Sequence, residues 1–164
     1  MHRARRPYRI VFICTGNICR SPAAENIFRS RAASAGLRDE IEIDSAGTEG
    51  WHGGEPVDVR SAEALRAAGF SDHGAARELR PSDFSGADLL VCMARDHVDF
   101  VVSRGAAQER VVLIRHCDPQ HTHEDVPDPY YGGDEGFSEM VRMLDAAMDG
   151  LVARVQSDLK RQRG

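Results

Sequence analysis

The sequence lacks long apolar runs. With 29% charged residues, it has no stretch that approaches the roughly 20 apolar residues required by a membrane helix. The apolar run near the start, Ile10 to Cys14, is too short for the core of a signal peptide. We therefore expect a soluble, cytoplasmic protein without a membrane partner.

Cysteine and basic charge are also scarce. Four cysteines in 164 residues are too few for a small disulfide-built scaffold, and no second close pair joins Cys14 and Cys19 in a tetrahedral zinc site. The formal net charge of -5 argues against a nucleic-acid partner, which usually shows a basic surplus on one face.

One loop has the composition of a metal site but not its spacing. Such polar loops often collect near active sites, and no compact ligand motif is present. We expect no metal and no cofactor, although the loop contains these candidate ligands: His116, Cys117, Asp118, His121, His123 and Asp125.

Short aliphatic segments alternate with helical patterns, which is typical of strands joined by crossover helices. They predict an open α/β sheet covered by helices on both faces. The predicted strands are Arg9 to Cys14, Glu40 to Ser45, Ala87 to Met93 and Arg110 to Ile114.

Glycines mark the ends of the predicted helices. The helices span Pro22 to Ala35, about 58–68 and about 96–104, and an apolar stripe from Phe137 to Val155 predicts further core-facing helix. We expect a single domain over 9–159 between two short basic tails, 1–8 and 160–164.

The loop from Cys14 to Ser21 lies where chemistry is expected. Ligands of open α/β sheets bind beyond the carboxyl ends of the strands, and Cys14 ends the first strand. Ser21 as N-cap and Pro22 as first helical residue predict a helix start. Free amides at such a start bind anions.

Cys14 and Arg20 have the spacing of a nucleophile and its phosphate-binding partner. A loop of this length can direct successive backbone amides at a tetrahedral oxyanion, while the Arg20 guanidinium grips two of its oxygens. This positive environment favours the thiolate of Cys14, so no histidine base is needed. A lone cysteine here would be more typical of the core; the complete string favours a nucleophile.

The string from Val11 to Pro22, VFICTGNICRSP, resembles the signature of the low-molecular-weight protein tyrosine phosphatases. Further similarities follow in the family's order at 44–48 (DSAGT), 51–52 (WH) and 128–132 (DPYYG). The resemblance implies a single doubly wound domain with a four-stranded parallel sheet. It also implies a cysteinyl-phosphate intermediate, no metal or organic cofactor, and a tyrosine-phosphorylated protein or peptide as partner.

Within that resemblance, the phosphate-binding loop also contains Thr15, Gly16, Asn17, Ile18, Cys19 and Ser21. Asn17 would hold the loop geometry, because asparagine tolerates left-handed backbone conformations. Ser21 would donate its hydroxyl to the Cys14 sulfur. Ser45 and His73 would be hydrogen-bond partners of the loop, or His73 is instead a surface residue.

Asp128 matches the family's general acid. Displacing a phenolate requires a proton donor opposite the nucleophile, delivered from a separate loop, and Pro129 biases Asp128 to an extended conformation. Asp125 and Asp134 are the nearby competitors. By the same resemblance the walls of an aryl-phosphate cleft are Trp51, Tyr130 and Tyr131.

The sequence departs from the family at Ala94, where an aspartate usually follows the third strand. Asp96 is two residues away and would substitute for that aspartate or cap a helix. Cys19 lies close enough in sequence to Cys14 for a protective disulfide, or it is a passive loop residue.

Two other functions compete with a phosphatase. An arsenate reductase on the same scaffold would need additional cysteines, for which Cys92 and Cys117 are the candidates. A non-catalytic phosphoprotein-binding module would be expected to lose Cys14 or Asp128, and both are present.

Overall fold

The computed structural model describes residues 5–164, and its centre is a sheet of four parallel strands. The strands lie in the order β2-β1-β3-β4, and all three pairings are parallel. Their bounds are β1, Tyr8–Cys14; β2, Ile41–Gly47; β3, Leu89–Cys92; and β4, Val111–Leu113. The predicted four-stranded parallel α/β sheet is confirmed.

Six α-helices connect and follow these strands in the described part of the chain. Short 3-10 turns at Gln108–Arg110 and Ile114–Cys117 flank β4. The helices are α1, Arg20–Ser34; α2, Val59–Ala67; α3, Pro81–Gly86; α4, Arg95–Ser103; α5, Asp134–Ala146; and α6, Met148–Arg163. Sequence patterns did not predict α3, and the stripe from Phe137 to Val155 belongs to two helices.

Alternate residues of β1 face two different cores, as the pleat of a strand requires. Ile10 and Phe12 lie in the larger apolar cluster, built with α1, α5 and α6. Val11 and Ile13 lie in the smaller cluster, which includes Val101 of α4. Helices therefore cover both faces of the sheet, and β1 is buried on each side.

The chain places the carboxyl ends of three strands together. Cys14 is in register with Gly47 of β2, and Ile13 is in register with Cys92 of β3. From β1 the chain goes to β2 on one side and later to β3 on the other, so the order reverses beside β1. Ligands of open α/β sheets bind at such a reversal.

The boundary predicted at the N-terminal tail is one residue too late. Tyr8 begins β1 and is buried, because its amide donates to Glu40 O (2.9 Å) and its hydroxyl donates to Asp158 (2.6 Å). This burial depends on a residue 150 positions away, which local sequence does not reveal. Residues 1–4 of the predicted tail lie outside the described residues, and the tail at 160–164 is helical through Arg163.

Within residues 5–164, none of the helices combines the length and the apolar character needed to cross a membrane.

Candidate active site

The loop between β1 and α1 has its carbonyl groups turned outward. Thr48 N donates to Cys14 O (2.9 Å), Glu49 N to Thr15 O (3.0 Å) and Asp58 N to Ile18 O (2.8 Å). Because neighbouring segments bind these carbonyls, the loop is held from outside by the ends of β2 and α2. Among residues 5–164, the backbone amides of 15–19 find no backbone or side-chain acceptor. These amides are the free donors of an anion site.

Gly47 lets β2 approach this loop closely. A Cβ at Gly47 would lie 2.6 Å from Thr15 O and 2.9 Å from Glu49 O. Both neighbours are backbone atoms, so only glycine fits at the end of β2 without moving the loop.

Asn17 is the centre of the loop's hydrogen bonds. Its φ of 58° lies in the left-handed region, as asparagine tolerates. Its side-chain amide donates to Ser21 Oγ (2.8 Å) and Ser45 Oγ (3.0 Å), while its carbonyl oxygen accepts from Arg77 N (3.0 Å). The loop conformation is therefore tied to β2 and to the segment before α3, and the predicted contact with Ser45 is present.

His73 is not a partner of the loop, and that prediction is wrong. Its side chain is exposed, and its backbone instead pairs with the Asn26 side chain of α1: Asn26 Nδ2 donates to His73 O (2.8 Å). The loop's partner from this region is the backbone of Arg77. A backbone donor carries no side-chain signature, so the sequence could not identify it.

Ser21 contacts the sulfur of Cys14 rather than capping the helix. Helix α1 begins at Arg20, its N-cap is Cys19, and no side chain caps it, so the N-cap predicted at Ser21 is wrong. Ser21 Oγ lies 2.9 Å from Cys14 Sγ, and both residues are buried. The Ser21 hydroxyl also accepts from Asn17, which leaves its proton for the sulfur.

Arg20 connects the loop to the segment that contains Asp128. The residue is 6% exposed, and its Nη1 donates to Val126 O (3.1 Å). Its Nη2 lies 3.4 Å from Thr15 Oγ1 and 3.7 Å from Asp128 Oδ2. The guanidinium is held at the mouth of the loop, beside the cleft.

Of the three candidate acids, Asp128 lies in the cleft. It lines the same pocket as Cys14 and is partly exposed, and its Oδ1 accepts from Tyr130 N (3.1 Å). Asp125 instead accepts from Arg95 N (2.8 Å), and Asp134 begins α5. Of the three, only Asp128 is therefore among the residues that line the same pocket as Cys14.

The cleft above the loop has a volume of about 310 Å³ and aromatic walls. Trp51 is 73% exposed and Tyr131 92% exposed, so neither serves the core. Tyr130 and Tyr131 meet edge to face with ring centroids 5.0 Å apart. The lining residues are Cys14, Thr15, Gly16, Ile18, Cys19, Arg20, Trp51, His52, Asp128, Tyr130 and Tyr131.

Three residues near the site were not among the predicted site residues. His52 lines the cleft and lies 2.6 Å from Glu55 through its Nδ1. Arg60 donates to Tyr130 O (3.0 Å). His97 lies 3.0 Å from Thr15 Oγ1; its place three residues after the N-cap of α4, a usual capping position, was the available signal. The capping role considered for Asp96 is wrong, because His97 takes it.

The two cysteines outside the loop are separated, Cys92 being buried and Cys117 half-buried. Cys92 belongs to the smaller core cluster, whereas Cys117 packs against the larger one. Burial raises the pKa of Cys117 to about 11 and that of Cys19 to about 12.

Among residues 5–164, no group of three His, Cys, Asp or Glu side chains could hold a metal ion.

The chain is similar to known proteins over almost its whole length. A family model described as low molecular weight phosphotyrosine protein phosphatase matches residues 9–162. A low molecular weight protein-tyrosine-phosphatase of Streptomyces coelicolor is 46% identical, covering 93% of this chain and 96% of the relative. Low molecular weight protein-tyrosine phosphatase A of Mycobacterium tuberculosis is 41% identical, covering 94% and 96%.

A solved structure is also similar to this chain over almost its whole length. The protein tyrosine phosphatase of Entamoeba histolytica, crystallised with Hepes in its active site, superposes with a TM-score of 0.88 at 29% identity. It covers 92% of this chain and 97% of that one. The resemblance that the loop sequence indicated is confirmed by these comparisons. With a cysteine and an arginine in the expected loop, this chain belongs to the low molecular weight protein-tyrosine-phosphatase family.

Proposed function

We propose that this protein-tyrosine phosphatase hydrolyses phosphotyrosine in two steps at Cys14. In the first step the Cys14 thiolate attacks phosphorus, the sulfur–phosphorus bond forms, and the bond to the phenolic oxygen breaks. Asp128 gives its proton to the departing phenolate. In the second step water attacks phosphorus, Asp128 takes a proton from it, and inorganic phosphate leaves as the thiolate is regenerated.

The observation that carries this proposal is the convergence of three side chains from distant segments. Cys14 ends β1, Arg20 begins α1, and Asp128 comes from the loop before α5, yet all three line one cleft. Cys14 is buried and Asp128 is partly exposed, which supports a nucleophile deeper in the cleft than the group that protonates the leaving group.

The loop supplies charge stabilisation for the phosphoryl group. Its unbonded amides and the Arg20 guanidinium are fixed before substrate arrives, so the transition state gains their full interaction without reorganisation. The Ser21 hydroxyl, 2.9 Å from the sulfur, stabilises the thiolate both as nucleophile and as leaving group.

The aromatic walls favour an aryl phosphate. Trp51 and Tyr131 expose large flat surfaces at the cleft mouth, where a phenyl ring gains burial and stacking. A phosphoserine side chain has no aromatic ring to place against these walls. We infer that the substrate is a tyrosine-phosphorylated protein or peptide.

The first test is hydrolysis of an aryl phosphate with a chelator present. We expect the wild type to be active and Cys14→Ser to be inactive, while phosphate still binds to the intact loop. Activity that survives the substitution, or that disappears with the chelator, would contradict the mechanism. Comparison of phosphotyrosine and phosphoserine peptides of the same sequence tests the inferred substrate.

The second test concerns the acid. Asp128→Asn should lower kcat by about a hundredfold or more, within the range of general acid catalysis. Asp125→Asn and Asp134→Asn are the matched controls, since their carboxylates lie outside the cleft lining. The assignment fails if a control loses as much activity as Asp128→Asn does.

The positions of the thiols of Cys92 and Cys117 count against an arsenate reductase. Such an enzyme would pass oxidising equivalents from Cys14 to further cysteines, but Cys92 is fully buried and Cys117 packs against a different core cluster. Burial also raises the pKa values of both thiols, which disfavours the thiolate needed for exchange. We expect no arsenate-dependent oxidation of thioredoxin or glutathione.

We also propose that Cys19 resolves oxidation of Cys14 by peroxide. Peroxide would convert the Cys14 thiolate to a sulfenic acid, and attack by Cys19 would release water and form the disulfide. Burial raises the pKa of Cys19 to about 12, so this attack should be slow at neutral pH. Wild type inactivated by peroxide should recover in dithiothreitol and Cys19→Ser should not; equal recovery would contradict this role.

A further inference from the structure

His97 is a buried polar residue that the proposed chemistry does not use. Its side chain is 1% exposed and lies at the start of α4, between β3 and the phosphate-binding loop. Its Nδ1 is 3.0 Å from Ala94 N, and its Nε2 is 3.0 Å from Thr15 Oγ1. A single imidazole thus bridges a helix start and the catalytic loop.

The contacts of His97 determine its tautomer. Ala94 N can only donate, so Nδ1 of His97 accepts and the ring proton is on Nε2. Burial, aided by the nearby Arg20 charge, lowers the pKa of His97 to about 4, which keeps the ring neutral at pH 7. Nε2 therefore donates to Thr15 Oγ1.

Thr15 then receives hydrogen bonds from two sides. Its hydroxyl oxygen accepts from His97 Nε2 at 3.0 Å and from Arg20 Nη2 at 3.4 Å. With both lone pairs occupied, the hydroxyl proton of Thr15 is left to donate elsewhere. Because Thr15 lines the cleft, the available acceptor is an oxygen of a bound phosphoryl group.

The surroundings of Arg20 increase the importance of this hydrogen-bond chain. Ala94 stands where the family usually has an aspartate, so this position has no carboxylate. Among the described residues, the carboxylate within 4.0 Å of Arg20 is that of Asp128, at 3.7 Å, and Asp128 must exchange protons during turnover. The remaining contacts of the guanidinium are Val126 O and Thr15 Oγ1. Thr15, fixed by His97, is thus one of two neutral groups that orient Arg20.

We propose that His97 is a positioning residue that holds the Thr15 hydroxyl as a phosphate donor and, through Thr15, orients Arg20. This role deepens the proposed function, because it concerns the same phosphate site. His97 does not touch the substrate; it acts through the hydrogen bond from Nε2.

Two substitutions test the hydrogen bonds of Nδ1 and Nε2 of His97 separately. His97→Asn places an amide near the position of Nδ1, so it keeps the bond from Ala94 N but does not reach Thr15. His97→Gln extends its amide to the position of Nε2 and can still donate to Thr15. We expect His97→Asn to lower kcat/KM by about three- to tenfold, the effect of one hydrogen bond, and His97→Gln to recover most of that loss.

A double-mutant cycle tests the connection through Thr15. Thr15→Val removes the hydroxyl with little change in volume, and it should reduce kcat/KM about as much as His97→Asn does. Groups that act through one hydrogen bond give non-additive effects, so the double variant should be no worse than the poorer single variant. Asp96→Asn is the control, since this exposed carboxylate lies 3.7 Å from His97 Nε2 without a hydrogen bond.

Inorganic phosphate gives a measurement independent of turnover. In a Cys14→Ser background, His97→Asn should weaken phosphate binding several-fold, and His97→Gln should restore it. This binding measurement can succeed even if the proposed hydrolysis is wrong. Failure of the His97 proposal can therefore be distinguished from failure of the proposed function. Unchanged phosphate binding and kcat/KM in His97→Asn, additive losses in the cycle, or equal losses in the asparagine and glutamine variants would each overturn the proposal.

Discussion

At the scale of single residues, Asn17 determines the shape of the phosphate-binding loop. Among the described residues it is the non-glycine residue with positive φ, a conformation that costs most side chains about 1 kcal/mol or more. Its amide offsets that cost through hydrogen bonds to Ser21, Ser45 and Arg77. Backbone strain and side-chain bonding are thus combined at one position.

Two substitutions of Asn17 should separate those contributions. Asn17→Ala loses the hydrogen bonds and is strained at this φ, whereas Asn17→Gly loses only the bonds. We expect both to reduce kcat by about tenfold or more, since the Ser21 hydroxyl is no longer oriented. Urea unfolding should show the alanine variant to be less stable than the glycine variant by about 1 kcal/mol. Equal stabilities of the two variants would mean that the loop changes conformation and relieves the strain of the alanine.

At the scale of secondary-structure elements, the start of α2 connects two parts of the site. Asp58 caps the helix and donates its backbone N–H to Ile18 O of the loop (2.8 Å). Arg60, paired with Asp58, donates to Tyr130 O and lies over the Phe137 ring at 4.5 Å. One helix start therefore contacts both the phosphate-binding loop and the segment that contains Asp128.

Removing the Arg60 guanidinium should affect the acid more than phosphate binding. In Arg60→Ala we expect kcat to fall about three- to tenfold, because the segment around Tyr130 loses a hydrogen bond. The inhibition constant of inorganic phosphate should change little. Arg66→Ala, on the same helix and paired with Asp72 at the surface, is the control. A loss confined to phosphate binding would contradict this role.

The contact between α6 and the turn after β4 depends on Gly150. A Cβ at this position would lie 2.0 Å from Cys117 O, and the backbone there cannot move as a side chain can. We expect Gly150→Ala to destabilise the fold by about 1–3 kcal/mol, as overpacking does. Gly86→Ala, where no heavy atom lies within 4 Å, should be neutral or stabilising in the same urea titration. Similar curves for both variants would contradict this account.

At the scale of the whole molecule, Asp83 joins segments that are distant in sequence. Its carboxylate is 1% exposed and accepts from Arg77 (2.8 and 3.0 Å), Arg9 (3.1 Å) and the Arg80 amide (2.8 Å). Arg77 also binds Asp44 of β2. The network ties β1, β2 and α3 together beneath the Asn17 contact.

The pKa of Asp83 gives this network a predictable pH dependence. Burial alone raises this pKa, but the hydrogen bonds from Arg77 and Arg80 outweigh burial and hold it below its ordinary value of 3.8. A lowered pKa in the folded state adds stability that is fully present above the ordinary value and is lost as the pH falls through the folded pKa.

Asp83→Asn should therefore reduce the free energy of unfolding at pH 7 by about 2 kcal/mol or more. The difference from wild type should begin to shrink as the pH falls below about 4, where Asp83 of the unfolded chain becomes protonated, and it should be lost as the pH falls through the lowered pKa of the folded state. Glu139→Gln, which removes a surface pair with Arg142, should have a small effect. A stability difference between wild type and Asp83→Asn that does not change with pH would show that the shape of the Asp83 side chain, rather than its charge, is responsible.

Local patterns in the sequence were sufficient for the class of fold, and they predicted a chemical centre. The alternation of β-branched runs with helical stripes predicted the parallel sheet, because strand and helix periodicities depend on neighbouring residues alone. The spacing of Cys14 and Arg20 predicted a nucleophile and its phosphate-binding partner, and the family resemblance added Asp128 as the proposed acid. All three line one cleft, because the reversal of strand order beside β1 leaves room there for the loop from Asp128.

The tertiary structure decided what surrounds those groups. The sequence predicted His73 as the loop's partner, but the position is filled by the Arg77 amide, and the start of α1 lies at Arg20 rather than after Ser21. His97 could not be assigned, since its contact with Thr15 spans 82 positions. The phosphate-binding loop is encoded in contiguous residues, whereas its hydrogen-bond partners are determined by distance in space, which only the folded chain defines.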